Sequence, residues 1–113
     1  MEPIHLRLEH EEQFGAWAEV GKPVGAVPPQ VRTALEQDFP QADMGFWECT
    51  VGSFERQIME AEYSYFISGS GRFTPTGGQA IAFKAGDSMY FAANTHGVWD
   101  IDETVRKTYV IFK

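Results

Sequence analysis

The feature that most limits the fold is a succession of short apolar and β-branched runs in residues 43–113, each ended by turn residues. The runs are "MGFWECTV", "RQIMEAEYSYFISG", "GSGRFTPTGGQAIAF", "AGDSMYF" and "TVRKTYVIF". Aromatic and β-branched residues of this kind favour strands, and 11 glycines with 6 prolines favour frequent turns over long helices. Closely spaced short strands predict a β-barrel or a two-sheet sandwich.

Residues 1–42 have a different texture. In "LEHEEQFGAWAEV", the spacing of Phe14, Trp17 and Ala18 predicts a short helix. A second short helix is predicted for "PPQVRTALEQDFP", because prolines stand at its start and just past its end. We therefore expect one domain in two parts: an N-terminal arm, 1–42, that packs on the barrel or on a partner subunit, and a β domain, 43–113.

Charge and cysteine content exclude several classes of partner. The net charge is −7, so the chain repels phosphate backbones and no nucleic acid partner is expected. Cys49 is the only cysteine, which rules out an internal disulfide and fits a reducing cytoplasm. The charged start and the lack of a long apolar run predict neither secretion nor a membrane partner.

In the run "RQIMEAEYSYFISG", strand alternation places the polar and acidic side chains on one face. A strand there carries two opposed sets of side chains: Glu60, Glu62, Ser64 and Phe66 on one face, and Ala61, Tyr63, Tyr65 and Ile67 on the other. Because both faces carry aromatic residues, one is expected to meet the interior and the other a second sheet or subunit. An interior carboxylate needs a partner or a wet pocket, so Glu60 and Glu62 are candidates, unless both are solvated at the strand mouth.

Several segments in the right order resemble a known family. "GFWECTVG", "EYSYFISG", "GDSMYF", "GVW" and "ETVRKTYVIF" are similar to the motifs of single-domain cupins, in the subgroup of the (S)-ureidoglycine aminohydrolase-like and ethanolamine-utilisation cupins. Glu62 followed by Gly69 fits the end of the first cupin motif, and Gly86-Asp87 fits the start of the second. The resemblance implies an all-β cupin jelly-roll β-barrel (a double-stranded β-helix), preceded by the arm with its short helical segments. It also implies a homodimer.

The metal ligands of cupins, three histidines and a glutamate, are mostly missing. Counted back from Glu62, the two histidines of the first motif fall on Arg56 and Ile58, which cannot coordinate a metal. The second-motif histidine falls on Gly97, and His96 stands one residue early. Such a slip turns a side chain to the opposite face, although the short loop "AANT" would restore its direction. We expect no cofactor; the alternative is a divalent transition metal held by Glu62 and His96.

Other residues are candidates for contacting a ligand. They are Glu60, Ser64, Trp99, Arg106 and Lys107. Trp99 follows the turn at the expected pocket mouth, and its indole N–H needs a partner. Arg106 and Lys107 lie on opposite faces of the last strand, so one of them is expected to pair with an interior carboxylate, either Glu62 or Glu48, and to orient an anionic or amide ligand.

Two functions are consistent with these residues. In the first, a metal-free pocket binds a small polar metabolite, or serves only as an assembly module, without turnover. In the second, a metal-assisted hydrolase or aminohydrolase acts on a ureido or amide compound, with Glu62 as base or ligand and His96 assisting. The missing histidines favour the first. Cys49 lacks a CxxC partner and is predicted to be a buried thiol rather than a nucleophile.

Overall fold

The computed structural model describes all 113 residues and consists of β-strands with a single 3-10 turn, Glu11–Gln13. The nine strands are β1 (Ala18–Glu19), β2 (Pro23–Val24), β3 (Gln30–Asp38), β4 (Ala42–Cys49), β5 (Gly52–Ile58), β6 (Glu62–Pro75), β7 (Ile81–Lys84), β8 (Ser88–Phe91) and β9 (Thr95–Phe112). Hydrogen-bonded neighbours follow the order β1-β3-β4-β9-β5-β2, and β6 pairs with β7, β8 and β9. The all-β prediction is confirmed. None of the chain forms a helix long and apolar enough to span a bilayer.

The two longest strands, β6 and β9, form the spine of the curled sheet. β9 pairs with β6 along its length, while its first half also pairs with β5 and its second half with β4. The β6–β9 register shifts on either side of Ser68. Gly69 has φ of +90°, and a Cβ there would lie 2.3 Å from the Thr104 carbonyl oxygen. A glycine is therefore required where the long strands bend past each other.

The inner face of the sheet buries most of the aromatic residues. Trp99 is only 3% exposed and lies at the centre, with ring centroids 5.0 Å from Phe73 and 5.6 Å from both Phe83 and Phe91. These tilted and edge-on contacts are the favoured geometry of aromatic pairs. The core therefore occupies the inner face of the curled sheet, centred on Trp99.

Of the predicted N-terminal arm, only residues 1–17 precede the strands, and this segment is called the arm from here on. It packs on the outer face of the same chain. Phe14 is buried against Ala34 and Phe46, and Leu6 and Leu8 pack at the edge of this cluster. The arm is extended apart from the one 3-10 turn, so the prediction of a helix over "LEHEEQFGAWAEV" is wrong beyond that turn. The apolar residues of this segment pack against β3 and β4 from an extended chain rather than from one face of a helix.

The second predicted helix, over "PPQVRTALEQDFP", is also wrong, because these residues form β3. Val31, Arg32, Thr33 and Ala34 pair in register with β4, and a bulge follows at Leu35, which has φ of +52°. Pairing with a long neighbouring strand outweighs the weak helix preference of the segment. β3, which lies within residues 1–42, is thus part of the same sheet as the strands of residues 43–113.

Residues 18–24, here called the strap, join the two edges of the curled sheet. β1 at the start of the strap pairs with edge strand β3, and β2 at its end pairs with edge strand β5. The backbone N–H of Glu55 also donates to the carbonyl of Lys22 at 2.9 Å. Since both edges are hydrogen-bonded to one short segment, the strap closes the sheet around the interior.

Candidate functional site

A cavity of about 830 Å³ lies between the inner face of the sheet and the strap. Its wall includes inward-facing residues of β4, β5, β6 and β9 together with residues 19–22 of the strap. Aromatic and aliphatic side chains form much of the lining, among them Trp47, Trp99, Ile58 and Ile111. Charged and polar side chains make up much of the rest, and a concave space that combines apolar walls with polar groups can hold a small molecule.

Of the charged residues that line the cavity, only Glu62 and Lys107 are buried. Lys107 Nζ donates to Glu62 Oε2 at 2.9 Å and to Ser64 Oγ at 3.0 Å, and Ser64 Oγ donates to Glu62 Oε2 at 3.0 Å. The Lys107 side chain is 5% exposed and that of Glu62 10%. We call these three residues the buried triad. Because each member is hydrogen-bonded to the other two, the charges are held in place inside the fold.

Strand alternation brings the triad together. Glu62, Ser64 and Phe66 are buried along β6, while Tyr63 and Tyr65 between them are exposed. The predicted alternation is confirmed from Glu62 onward, whereas Glu60 precedes the strand. Lys107 is opposite Phe66 in the β6–β9 register, one strand away from the two polar residues. The period of two along β6 therefore points the carboxylate and the hydroxyl to the face on which Lys107 lies.

Two indole rings lie close to the Lys107 ammonium. Nζ is 4.6 Å from the ring centroid of Trp47 and 5.1 Å from that of Trp99, distances at which a ring face attracts a cation. Burial nevertheless lowers the pKa of Lys107, since the charged form is removed from water. The charge and hydrogen bond of Glu62 act against this effect, and the positive charge of Arg56 reinforces it.

The donor set does not fit the metal ion that a cupin fold implies. No three residues among the histidines, cysteines, aspartates and glutamates are grouped closely enough to hold a metal. Arg56 and Ile58 do line the cavity, as does Gly97, which lies opposite Arg56 in the β5–β9 register. These positions offer a guanidinium, an alkyl group and no side chain, none of which is a metal ligand. The remaining position holds Glu62, whose carboxylate is bound by Lys107.

His96 lies at the rim of the cavity rather than beside the triad. It is exposed and is opposite Gln57 in the β5–β9 register, whereas the buried Gly97 and Trp99 on either side of Val98 mark the inner face. Alternation therefore turns the imidazole of His96 to the face opposite that of Trp99. His96 nevertheless remains among the residues that line the cavity.

Of the other residues predicted from the sequence to contact a ligand, some line the cavity and some do not. Ser64 and Lys107 belong to the triad, and Trp99 lines the cavity from the core. Glu60 is exposed in the turn before β6 and does not line the cavity. Arg106 faces outward, where its Nη2 donates to Glu48 Oε2 at 2.7 Å. Both cations of the last strand are thus paired with carboxylates, each on its own face.

Three contributors were missed from sequence. Trp47 lies against Lys107 and lines the cavity. Arg32, hidden in a segment interpreted as a helix, donates to Glu48 Oε1 at 2.8 Å. The third contributor is the strap, whose residues 19–22 line the cavity. Strand parity along "FWEC" would have placed Trp47 and Glu48 on opposite faces, which is the signal that was available.

Comparison with known proteins agrees with this architecture. The family described as the EutQ-like cupin domain matches residues 37–109. Among curated proteins, no significant match is found. The EutQ protein of Clostridium difficile is similar in structure at a TM-score of 0.66 and 17% identity, over 74% of this chain and 68% of that one.

Two further solved structures share the fold. A DUF861 family protein of Thermotoga maritima superposes with a TM-score of 0.58 at 28% identity, over 59% of this chain and 76% of that one. A DUF861 family protein of unknown function from Pseudomonas syringae superposes with a TM-score of 0.71 at 20% identity, covering 87% of this chain and 43% of the other. With the family match spanning 73 of 113 residues, the chain belongs to the EutQ-like cupin family.

Proposed function

We propose that this chain binds a small polar molecule in the cavity, at the buried triad, without a transition metal ion. The observation that carries the proposal is the Lys107–Glu62 pair, 2.9 Å apart, in the wall of a cavity of about 830 Å³. A desolvated pair of opposite charges offers a bound molecule both a donor and an acceptor. The indole faces of Trp47 and Trp99 supply apolar contact beside them.

The competing function is a metal-assisted hydrolase acting on a ureido or amide compound. Its support is the sequence resemblance to (S)-ureidoglycine aminohydrolase-like cupins, with Glu62 and His96 as the catalytic or metal-binding pair. The register sets His96 on the opposite face from Trp99, and Glu62 already holds an ammonium group. Both observations favour the binding function. The structural similarity to EutQ proteins, at less than 25% sequence identity, supports a shared fold only. A shared fold does not establish an activity.

The test uses metal-stripped protein and intrinsic tryptophan fluorescence, because Trp47 and Trp99 border the site. Propionamide, propionate and N-carbamoylglycine are the probes. We expect a saturable change with at least one probe that added Mn²⁺ or Zn²⁺ does not alter, and that the double variant Lys107→Met/Glu62→Gln abolishes. Binding that appears only when metal is added, or hydrolysis of N-carbamoylglycine, would instead establish the competing function.

We also propose that two copies associate through the outer face of β6 and β8. Four large side chains there are 41–66% exposed: Tyr63, Tyr65, Ile67 and Tyr90. A contiguous apolar face of this kind commonly marks an interface. A charge in its middle, Tyr65→Glu, should shift the sedimentation of the protein from dimer to monomer, whereas Gln79→Glu in an exposed turn should not.

The lone Cys49, which forms no disulfide, supports a reducing compartment such as the cytoplasm.

A further inference from the structure

Lys107 differs from every other lysine in the chain. Lys22 and Lys107 both line the cavity, but Lys22, like Lys84 and Lys113, is exposed, whereas Lys107 is buried. It is also the only lysine held by both a carboxylate and a hydroxyl, at 2.9 Å and 3.0 Å. A lysine amine that is withdrawn from water but faces a ligand cavity is in the setting where amines act as nucleophiles.

The surroundings of Lys107 supply what such a nucleophile needs. An amine attacks only in its neutral form, and burial together with the charge of Arg56 lowers the pKa of Lys107. Glu62 is within hydrogen-bonding distance and can accept and return the proton. The Ser64 hydroxyl bridges the two groups and keeps the amine and the carboxylate aligned.

We propose that Lys107 condenses with small aldehydes or ketones that enter the cavity and forms a Schiff base with them. The inference rests on the proposed binding function, since it uses the same cavity, and adds to it a covalent step and a class of ligand. The aliphatic side chains of Ile58 and Ile111 in the wall favour a short carbon chain on the carbonyl compound.

The reaction balances with the groups present. Glu62 first takes a proton from the Lys107 ammonium group, which frees the lone pair of Nζ to bond to the carbonyl carbon. The carbonyl oxygen then takes up one of the two protons left on Nζ, which gives a neutral carbinolamine. Glu62 returns its proton to the hydroxyl group, which leaves as water while the nitrogen lone pair forms the C=N bond. One carbonyl compound and one ammonium group give one protonated imine and one water, Glu62 ends as the carboxylate, and no oxidant or reductant is consumed.

The site also suits the product. A protonated imine carries its positive charge where the ammonium was, between the rings of Trp47 and Trp99. The Glu62 carboxylate remains beside it as counter-ion. The features that hold a cation in the free protein thus stabilise the iminium as well, so the ion pair does not oppose condensation once the carbonyl compound is bound.

The test is reductive trapping of the wild-type protein with propanal and sodium cyanoborohydride at neutral pH. Peptide mapping then compares propylation of the four lysines as a function of time. We expect Lys107 to be propylated at least about tenfold faster than Lys22, Lys84 or Lys113, because its amine is buried at the cavity and hydrogen-bonded to Glu62, which can take its proton. Propylation of Lys107 at the rate of the exposed lysines, or more slowly, overturns the inference.

Two variants locate the fast reaction. Lys107→Met/Glu62→Gln removes both charges together, so that no buried charge is left alone, and should abolish the fast phase while the exposed lysines react as before. Lys84→Arg, the matched control, should retain it. A fast phase that persists in the double variant overturns the inference. If Lys107 is not trapped selectively while propionamide still binds, the covalent step fails and the proposed binding function stands.

Discussion

Two buried carboxylates, Glu62 and Glu48, lie on opposite faces of the same sheet, and their surroundings differ. Glu62 faces the cavity and is held by one ammonium and one hydroxyl. Glu48 faces outward and is held by two guanidinium groups, those of Arg32 and Arg106. Both glutamates are 7% exposed, so burial alone does not distinguish them.

The difference lies in what covers each carboxylate. The arm places the Phe14 ring 4.2 Å from the Arg32 guanidinium carbon, and Glu11 on the arm pairs with both arginines. Two acids and two bases thus neutralise one another, and of the four only Glu11 is largely exposed to solvent. The Glu62 pair instead borders an empty space large enough for a small molecule. A buried charge with all its partners supplied by protein is structural, whereas one that faces a cavity is available to a ligand.

The largest effect is expected from Lys107→Met. It leaves the Glu62 carboxylate buried without its cation, which costs about 3–5 kcal/mol. The double variant Lys107→Met/Glu62→Gln should recover at least half of that loss, because it leaves no unpaired charge. Urea denaturation followed by circular dichroism measures both free energies of unfolding. If Lys107→Met loses no more free energy of unfolding than the double variant, the Glu62 carboxylate is accessible to water and is not a buried charge.

The stability of the protein at alkaline pH tests whether Cys49, another residue of the buried core, is shielded from water. Burial raises the pKa of the Cys49 thiol from 9.0 to about 12. Because the folded state holds this proton more tightly, the contribution is fully present below pH 9 and is lost as the pH rises towards 12, at about 1.4 kcal/mol per pH unit.

The matched comparison for this pH dependence is Cys49→Ala, which should lose less free energy of unfolding over the same range. Tyr109, whose pKa burial raises to about 12, destabilises both proteins alike and cancels in the difference. Lys107, with its lowered pKa, acts in the opposite direction in both. Parallel curves for wild type and variant would contradict a buried thiol.

A smaller loss is expected from Glu48→Ala, of about 2 kcal/mol. The two arginines are left partly exposed, at 13% and 26% of their side chains, and keep Glu11 as a partner. Probe binding in the cavity should be unchanged, since the triad lies on the other face. Thermal unfolding and the fluorescence titration measure the two quantities. Lost binding in a folded Glu48→Ala protein would remove the distinction between the faces.

The smallest effect is expected from Glu11→Gln. The Glu11 side chain is 67% exposed, so its ion pairs are weak and screened by salt. Hydrogen bonds from Arg32 and Arg106 lower the pKa of Glu11, so its contribution is present above the ordinary glutamate range and is lost as the pH falls. The difference from wild type should vanish at high salt, and Glu12→Gln, beside it, should show none.

Much of the site was open to prediction because it depends on local alternation. The alternation along β6 placed Glu62, Ser64 and Phe66 on one face, and the structure shows that this face is the buried one. The residues of β9 placed Arg106 and Lys107 on opposite faces. The segment that became β3 was not predictable in the same way, since Val31, Ala34 and Leu35 fit a helical spacing as well as a strand with a bulge.

Sequence by itself determined the strand character of residues 43–113 and which side chains share a face, because both follow from contacts within a few residues. Only the tertiary structure decided the partners. Lys107 meets Glu62 across 45 residues, and Arg106 meets Glu48 across 58. Such pairings depend on the register between distant strands, which is set by packing of the whole sheet and of the arm and strap over it, rather than by any local pattern.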